Sequence, residues 1–288
     1  MSISRQNLTI VIVTLKSENI IDQCIKSIDQ NIPIIVVENS NNQKIKDELE
    51  SKYKNLKCIL SGSNLGMGAG NNVGIRAATT DYVFILNPDT TLEPNTLDEL
   101  FKVSKKLPGF TILSPINVDL NFPNYKTREI PKDENIPFQV DYIDGFSMLL
   151  NKNKFNDDIY FDENFFLYLE NNDLCIRVKR AGESVYIVPT AKINHGGSKA
   201  VDTKYKDEIE LSRNWHWIWS KFYFNKKNFG FFKAMIECLP TYISSILKFL
   251  FYSLTNSDFK KKIHLNRASG FYNALMGKSS WYRPKIDN

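Results

Sequence analysis

The chain has 288 residues with 42% hydrophobic and 24% charged residues, ordinary for a globular protein and far from the composition of a disordered or collagen-like chain. Its four cysteines (Cys24, Cys58, Cys175, Cys238) are scattered, with no C-x-x-C pair or metal-ligand spacing. That excludes a zinc module or disulfide scaffold and reads them as small buried hydrophobes in a reducing compartment. The net charge of +5 conceals an asymmetry: residues 1–198 hold 21 Lys+Arg against 25 Asp+Glu, residues 199–288 hold 16 against 7.

Met1–Asn7 is mostly polar and the apolar run after it is short, so no signal peptide is expected. Leu8–Leu15 is β-branched and apolar almost throughout, the pattern of a strand buried on both faces of a parallel sheet. Ile20, Ile21, Cys24, Ile25 and Ile28 recur at helical spacing. Ile32–Val37 reads as a second buried strand, ending at Glu38-Asn39-Ser40-Asn41. A polar helix over Lys44–Tyr53 and a short strand over Leu56–Leu60 follow. Strand, helix, strand, helix, strand predicts a doubly wound α/β arrangement with right-handed crossovers.

Ser63–Gly74 is rich in Gly and Asn. Its glycines let backbone approach a ligand, and a helix starting there would offer N–H groups to an anion. It lacks the Lys-Ser/Thr of a P-loop and does not follow the first strand, so it fits no standard nucleotide fingerprint. A plain turn packed on the sheet is the other reading.

Tyr82–Leu86 is an apolar strand that stops at Asn87-Pro88-Asp89, because Pro88 has no N–H with which to continue a ladder. A carboxylate at the C-terminal tip of a buried strand lies where open α/β sheets bind ligands. Asp89 therefore reads either as a ligand for a hard cation or as a turn residue capping the next helix.

Asn95–Leu107 is an amphipathic helix, and Phe110–Pro115 a strand. Residues 117–141 read as an irregular excursion. Tyr142–Leu150 returns to strand character, with Asp144-Gly145 as a bulge near a site or a bend. Phe161–Arg177 leads through aromatic residues into Glu170 and a helix starting near Asn172 and ending at Ala181, with Gly182 as its stop. Desolvation beside those rings would raise the Glu170 pKa, while a helix N-terminus would lower it. Glu170 and Asp173 read either as site carboxylates or as capping groups; Arg177 four residues after Asp173 favours a structural ion pair for the latter. Val185–Pro189 is a further strand, and His195, before two glycines, lies past a strand end in a candidate cleft.

From Asp207 the pattern is helical, basic and aromatic. Between Phe232 and Leu254 the chain is largely apolar but interrupted by Lys233, Glu237, Pro240 and Lys248. Ile243, Ile246, Leu247, Leu250 and Leu254 share a face, which fits an interfacial helix on a membrane. A helical subdomain packed on the first, with a hidden dimer interface, fits equally. The expected division is residues 1–205 and 206–288.

Taken together, Ile10–Thr14, Val37–Ser40, Asn64–Gly74, Leu86–Asp89, Phe165–Arg177 and His195, in that order over about residues 8–225, resemble the inverting family 2 glycosyltransferases of GT-A fold, and most their rhamnosyltransferase branch. The resemblance implies a Rossmann-like mixed sheet flanked by helices. It also implies transfer of a sugar, best matched by L-rhamnose from dTDP-L-rhamnose with UDP-hexoses as the alternative, to a glycan or lipid-linked acceptor. Asp89 and His195 would hold Mg²⁺ or Mn²⁺; Thr14, Glu38, Asn64, Gly66, Gly70, Asn71 and Asn87 would contact the donor, with Glu38 on the pyrimidine base. Asp144 and Gly145 would face the acceptor, and Glu170, with Asp173 as fallback, would act as base. Two departures stand out: Asn87 replaces the first Asp of Asp-x-Asp, and Asn171 replaces a second adjacent carboxylate. The implied location is cytoplasmic, peripheral on the inner face of the inner membrane, with a homodimer as a candidate assembly. A nucleotidyltransferase would put its Gly-rich loop straight after the first strand, where Thr14-Leu15-Lys16-Ser17 stands instead. A non-catalytic sugar- or nucleotide-binding module is the remaining rival, and nucleic acid is disfavoured as a partner.

Overall fold

The structure is a computed structural model and describes residues 3–128, 133, 135–155, 159–197, 201–255 and 257–286. Strand β1 (Leu8–Thr14) is buried along its whole length, as its unbroken apolar run requires. It pairs in parallel with β2 (Ile34–Glu38) on one side and β4 (Tyr82–Leu86) on the other, and β2 pairs in parallel with β3 (Leu56–Leu60). Helices α1 (Ile21–Lys26), α2 (Gln43–Lys52) and α3 (Met67–Ala77) make the connections. This is the doubly wound half that the alternation of strands and helices predicts.

Beyond β4 the sheet turns mixed. After β5 (Thr90–Leu92), α4 (Thr96–Lys106) and β6 (Ile112–Asn117) come three short strands, β7 (Tyr125–Lys126), β8 (Phe138–Gln139) and β9 (Tyr142–Ile143). Strand β10 (Ser147–Asn151) inserts antiparallel between β4 and β6. After α5 (Glu170–Arg180), β11 (Val185–His195) pairs with β6 in parallel and with β5 in antiparallel. The order across the sheet is β3-β2-β1-β4-β10-β6-β11-β5, with β8 also pairing β11 and β7 pairing β9 separately.

Two boundaries differ from the sequence reading for clear reasons. Strand β11 does not stop at Pro189: the register with β6 shifts between Val188 and Lys192, a bulge that absorbs the missing N–H, and the strand runs on through His195. Helix α5 begins at Glu170 rather than Asn172, because Leu169, at φ 67°, turns the chain sharply into it.

Period-two alternation divides the apolar residues of the sheet. Ile10 and Ile12 face one core with Phe84, Ile25 and Leu100. Val11 and Val13 face the other with Val37, Ile75, Leu174 and Cys175. Helix α3 lies flush on β1 because of its glycines: a Cβ on Gly74 would come within 2.4 Å of Val11 Cγ1. All four cysteines are buried and unpaired.

Helices α6 (Lys206–Phe229), α7 (Phe231–Ser253) and α8 (Asp258–Leu275) pack on one another around Trp215, Ile218, Trp219, Phe222, Ala234, Cys238 and Phe271. They are fastened to the chain that leads into α5. Ser220 Oγ donates to the Leu167 carbonyl at 2.7 Å. Tyr223 Oη and Lys227 Nζ donate to Asp162, at 3.0 and 2.7 Å.

Candidate active site

The C-terminal tips of β1 and β4 open into a cleft of about 570 Å³. Strand pairing explains how its first reactive pair forms. Pro88 ends β4, the chain turns, and β5 runs back antiparallel to β11, with Thr90 opposite His195. The Gly196 N–H donates to the Asp89 carbonyl at 2.8 Å, locking the two segments together. His195 Nε2 then lies 3.4 Å from Asp89 Oδ1. The Phe146 ring stacks on the imidazole at 4.0 Å and 6° between planes, which sets its orientation.

Asp89 Oδ1 is buried without a hydrogen-bond partner. A carboxylate oxygen left unsatisfied in a buried position costs free energy unless something cationic completes it. The Asp89–His195 pair, one hard oxygen and one imidazole nitrogen, is a donor set suited to a divalent cation. Among the described residues no group of three or more His, Cys, Asp or Glu forms, so further ligands would come from a bound phosphate or water. Asn87 Oδ1, also buried and unpartnered, is a neutral acceptor where the first acidic residue of the motif is absent.

Glu170 stands at the first position of α5 and lines the cleft together with Phe161, Phe166 and Tyr168. Its Oε2 is buried and unpaired, and burial pushes the carboxyl from 4.5 up to about 7, overcoming the helix-end N–H that pulls the other way. A carboxyl poised near neutrality in a cleft is fitted for general base chemistry. The two preceding residues, Tyr168 and Leu169, both have left-handed backbone, at φ 72° and 67°. Such conformations in non-glycine residues cost about 1–3 kcal/mol each and cluster at functional sites.

Thr14, Asn64, Gly66, Asn71, Asn87, Asp89, Asp144, Gly145, Glu170 and His195 all line this cleft. Three other expected site residues do not. Asp173 is corrected from fallback base to structural hub: fully buried, it receives Arg177 Nε at 2.9 Å, Lys227 Nζ at 2.9 Å and Asn228 Nδ2 at 3.1 Å, leaving no free oxygen for a proton transfer. Glu38 is turned into its own loop. Its carboxylate accepts from the Ser40 N–H and hydroxyl and from the Asn42 N–H, and it shapes the 39–42 turn instead of lining the cleft. Gly70 is a packing residue, its missing Cβ filled by Val13 and Asn39.

Gly66 serves two purposes. Its φ of 84° is open to glycine, and any Cβ would collide with the Phe166 carbonyl at 2.1 Å. The Met67 N–H donates to that same carbonyl at 3.0 Å, so the Gly-rich segment braces the approach to Glu170. Asn171, where the motif's second carboxylate is replaced, donates from Nδ2 to the Ile143 carbonyl at 2.6 Å. Its amide ties α5 to the Asp144-Gly145 turn, a bond that a carboxylate could not donate. Asp144 is an exposed residue at the cleft, close enough to feel the charge of His195, and partial desolvation of its carboxyl raises its pKa.

Sequence reading missed the C-terminal wall of the cleft. Ile209, Ser212, Arg213 and Trp217 of α6 line it together with Pro284. The neighbouring Arg283 lays its guanidinium 3.8 Å over the Phe166 ring. Spacing by four along Ile209, Arg213 and Trp217 was visible, but nothing in the sequence tied that face to the strand tips. A second cavity of equal size, beside Lys16, Asn42 and Tyr205, contains no comparable carboxylate–imidazole pair among the described residues.

A family model described as "Glycosyl transferase family 2" matches residues 9–171. The low-salt glycan biosynthesis hexosyltransferase Agl10 of Haloferax volcanii is 26% identical over 228 residues, 72% of this chain and 69% of the relative. Rhamnosyltransferase WbbL of Escherichia coli is 27% identical over 218 residues, 65% of this chain and 82% of the relative. Among solved structures, GalNAc-T7 with UDP, GalNAc and Mn²⁺ superposes with a TM-score of 0.57 at 14% identity, over 66% of this chain and 43% of that one, a likeness of fold.

Proposed function

The chain belongs to glycosyl transferase family 2, and from that premise we propose that it moves L-rhamnose from dTDP-L-rhamnose to a hydroxyl of a cell-surface glycan or lipid-linked acceptor, with inversion at the anomeric carbon. The observation that carries the reading is the joint lining of one cleft by the unpaired Glu170 carboxyl and the Asp89–His195 pair. The rhamnosyl choice leans on the rhamnosyltransferase relative. A hexose carried by UDP is the second reading, favoured by the hexosyltransferase relative.

In this mechanism Thr14, Asn64, Asn71 and Asn87 bind and orient the donor, and Asp89 and His195 hold the cation. Mg²⁺ or Mn²⁺ in that position supplies Lewis-acid stabilisation of the departing diphosphate. Glu170 Oε2 takes the proton of the acceptor hydroxyl as its oxygen attacks the anomeric carbon from the face opposite the leaving group. The new C–O bond forms, the bond to the diphosphate breaks, and the nucleoside diphosphate leaves. Asp144 and Gly145 face the acceptor, and the Phe166–Leu169 segment keeps bulk water from the reacting carbon. A positioned base contributes roughly 10²–10⁴ in rate.

The C-terminal helices lie on the cytoplasmic face of the membrane in this reading. Among the described residues α7 alone is long and apolar enough to cross a bilayer. Its Ala234, Cys238 and Ser245 are nonetheless buried in the helical unit, and its Glu237 pairs with Lys221 at 3.1 Å. A helix held along one side in this way lies in the interface, with Phe232, Ile236, Leu247 and Leu254 outward. Lys248 and Lys260–Lys262 add charge that suits anionic lipid. Sedimentation with anionic vesicles is the check: the chain pellets if the reading holds and stays in the supernatant if not.

The direct experiment incubates purified protein with a panel of dTDP- and UDP-sugars plus Mn²⁺ and an extracted lipid-linked glycan fraction. Mass spectrometry would find the acceptor heavier by one deoxyhexose, and the new bond inverted by NMR. Failure of every donor to be consumed would sink the reading.

A further inference from the structure

Helix α6 anchors, residue by residue, the segment that leads into Glu170. The His216 ring packs on the Phe166 ring at 4.5 Å between centroids. Ser220 Oγ holds the Leu167 carbonyl, and the Trp217 ring meets the Tyr168 ring edge-on at 5.4 Å and 86°. Tyr168 and Leu169, the two left-handed residues, come directly before Glu170. Non-glycine residues keep that conformation only when their surroundings over-determine it.

His216 is fully buried, at 0% exposure, and a strap holds it there. After α8 the chain runs over 278–286 without helix or strand and crosses back along α6. Trp219 Nε1 donates to the Lys278 carbonyl at 3.0 Å, and the Lys285 N–H donates to Glu208 Oε2 at 3.0 Å. Between these points His216 Nε2 bonds the Tyr282 carbonyl at 2.8 Å and Nδ1 bonds Ser280 Oγ at 2.9 Å. A carbonyl only accepts, so Nε2 carries the proton and donates. Burial pushes the imidazole pKa down to about 3 against the pull of the Tyr282 bond, and the Arg283 charge adds to the shift. The ring therefore stays neutral while Glu170 titrates. One residue further on, the exposed Arg283 places its guanidinium 3.8 Å over the same Phe166 ring and donates from Nη1 to the Ser280 carbonyl at 2.7 Å.

We infer that His216 and Arg283 are positioning residues: together they clamp the Phe166 ring and so hold the strained turn that aims Glu170 into the cleft. The inference rests on the glycosyltransferase reading and goes beyond it, giving the 278–286 strap a part in the proton-transfer step. The donor side is fastened separately. Asn39 Nδ2 donates to the Gly66 carbonyl at 3.0 Å, and the Gly66 N–H donates to Asn64 Oδ1 at 3.1 Å. Loosening the clamp thus displaces the base and spares donor binding. A misplacement of about 1 Å at a reacting group costs roughly 10² in rate.

The test compares the full chain with Arg283→Ala, Arg283→Lys and His216→Phe, the last keeping a ring but losing both strap bonds. Hydrogen–deuterium exchange followed by mass spectrometry reads the amides of residues 161–172. They should exchange faster in Arg283→Ala and His216→Phe, while those of β1 and β4 stay as in the parent. Donor-consumption kinetics should then show kcat lowered about 10- to 100-fold with the donor KM unchanged. Arg283→Lys, which keeps a cation over the ring, should recover part of the loss. Parent-like exchange over 161–172 in Arg283→Ala overturns the clamp. Faster exchange with undiminished kcat, or a loss carried by donor KM, overturns the positioning role. Arg283 lies at the surface, so its variants decide the matter even where His216→Phe fails to fold. A parent chain that consumes no donor fails the glycosyltransferase reading instead, and the exchange measurement still judges the clamp.

Discussion

Replacing Glu170 by Gln removes one charge and keeps the shape, and two effects of opposite sign should follow. The buried carboxyl has its pKa raised from 4.5 to about 7. A group whose folded pKa lies above its unfolded value favours folding in its protonated form, and that contribution fades as pH rises from about 4.5 through about 7. At roughly 1.4 kcal/mol per pH unit, ionised Glu170 costs the fold up to ~3 kcal/mol at pH 8 and nothing at pH 4. The Gln amide imitates the protonated acid, so Glu170→Gln should melt several degrees above the parent at pH 8 and match it near pH 4. Turnover should fall about 10²–10⁴-fold. In the parent, kcat should rise with pH to a plateau above about 7 as the base loses its proton. Calorimetry at the two pH values, with donor-consumption rates from pH 5 to 9, measures all three. Melting temperatures that differ equally at both pH values, together with unchanged turnover, would refute the desolvated-base argument.

Other substitutions separate framework from chemistry. Asp173→Asn withdraws the carboxylate that Arg177 and Lys227 share, and breaking a buried pair costs about 3–5 kcal/mol. Urea unfolding should show that loss. Asn171→Asp, which restores the second carboxylate of the motif, forfeits the donor to the Ile143 carbonyl. It should destabilise by about 1–3 kcal/mol and give no faster transfer, read by melting and by kcat.

Much of the first half was legible because both faces of its sheet are buried. Unbroken apolar runs at Leu8–Thr14 and Tyr82–Leu86 can only be interior strands, and Pro88 marks where the second one ends. Asp89 and His195 are 106 residues apart in sequence, and their meeting depends on β5 pairing with β11, a three-residue strand that no local pattern announces. The role of Asp173 was half visible: Arg177 at i+4 suggested an ion pair, but Lys227 and Asn228 come from a helix beginning 33 residues later, beyond the reach of periodicity. Glu38 misled because a strand-end carboxylate looks the same whether it points outward or folds back on its own loop. Arg213 and Trp217 sat in a run of aromatics whose bulk signal, hydrophobic and basic, spoke for a surface and hid their place on the cleft wall.

The central claim is that Asp89 and His195 bind a nucleotide-sugar through a divalent cation. Calorimetric titration of dTDP-L-rhamnose and UDP-hexoses into the protein, with Mn²⁺ and again with EDTA, addresses this directly, in parallel with Asp89→Ala. One of these donors should bind markedly tighter with Mn²⁺, and the gain should vanish in Asp89→Ala. Equal affinity in Mn²⁺ and EDTA, or an undiminished gain in Asp89→Ala, would contradict it.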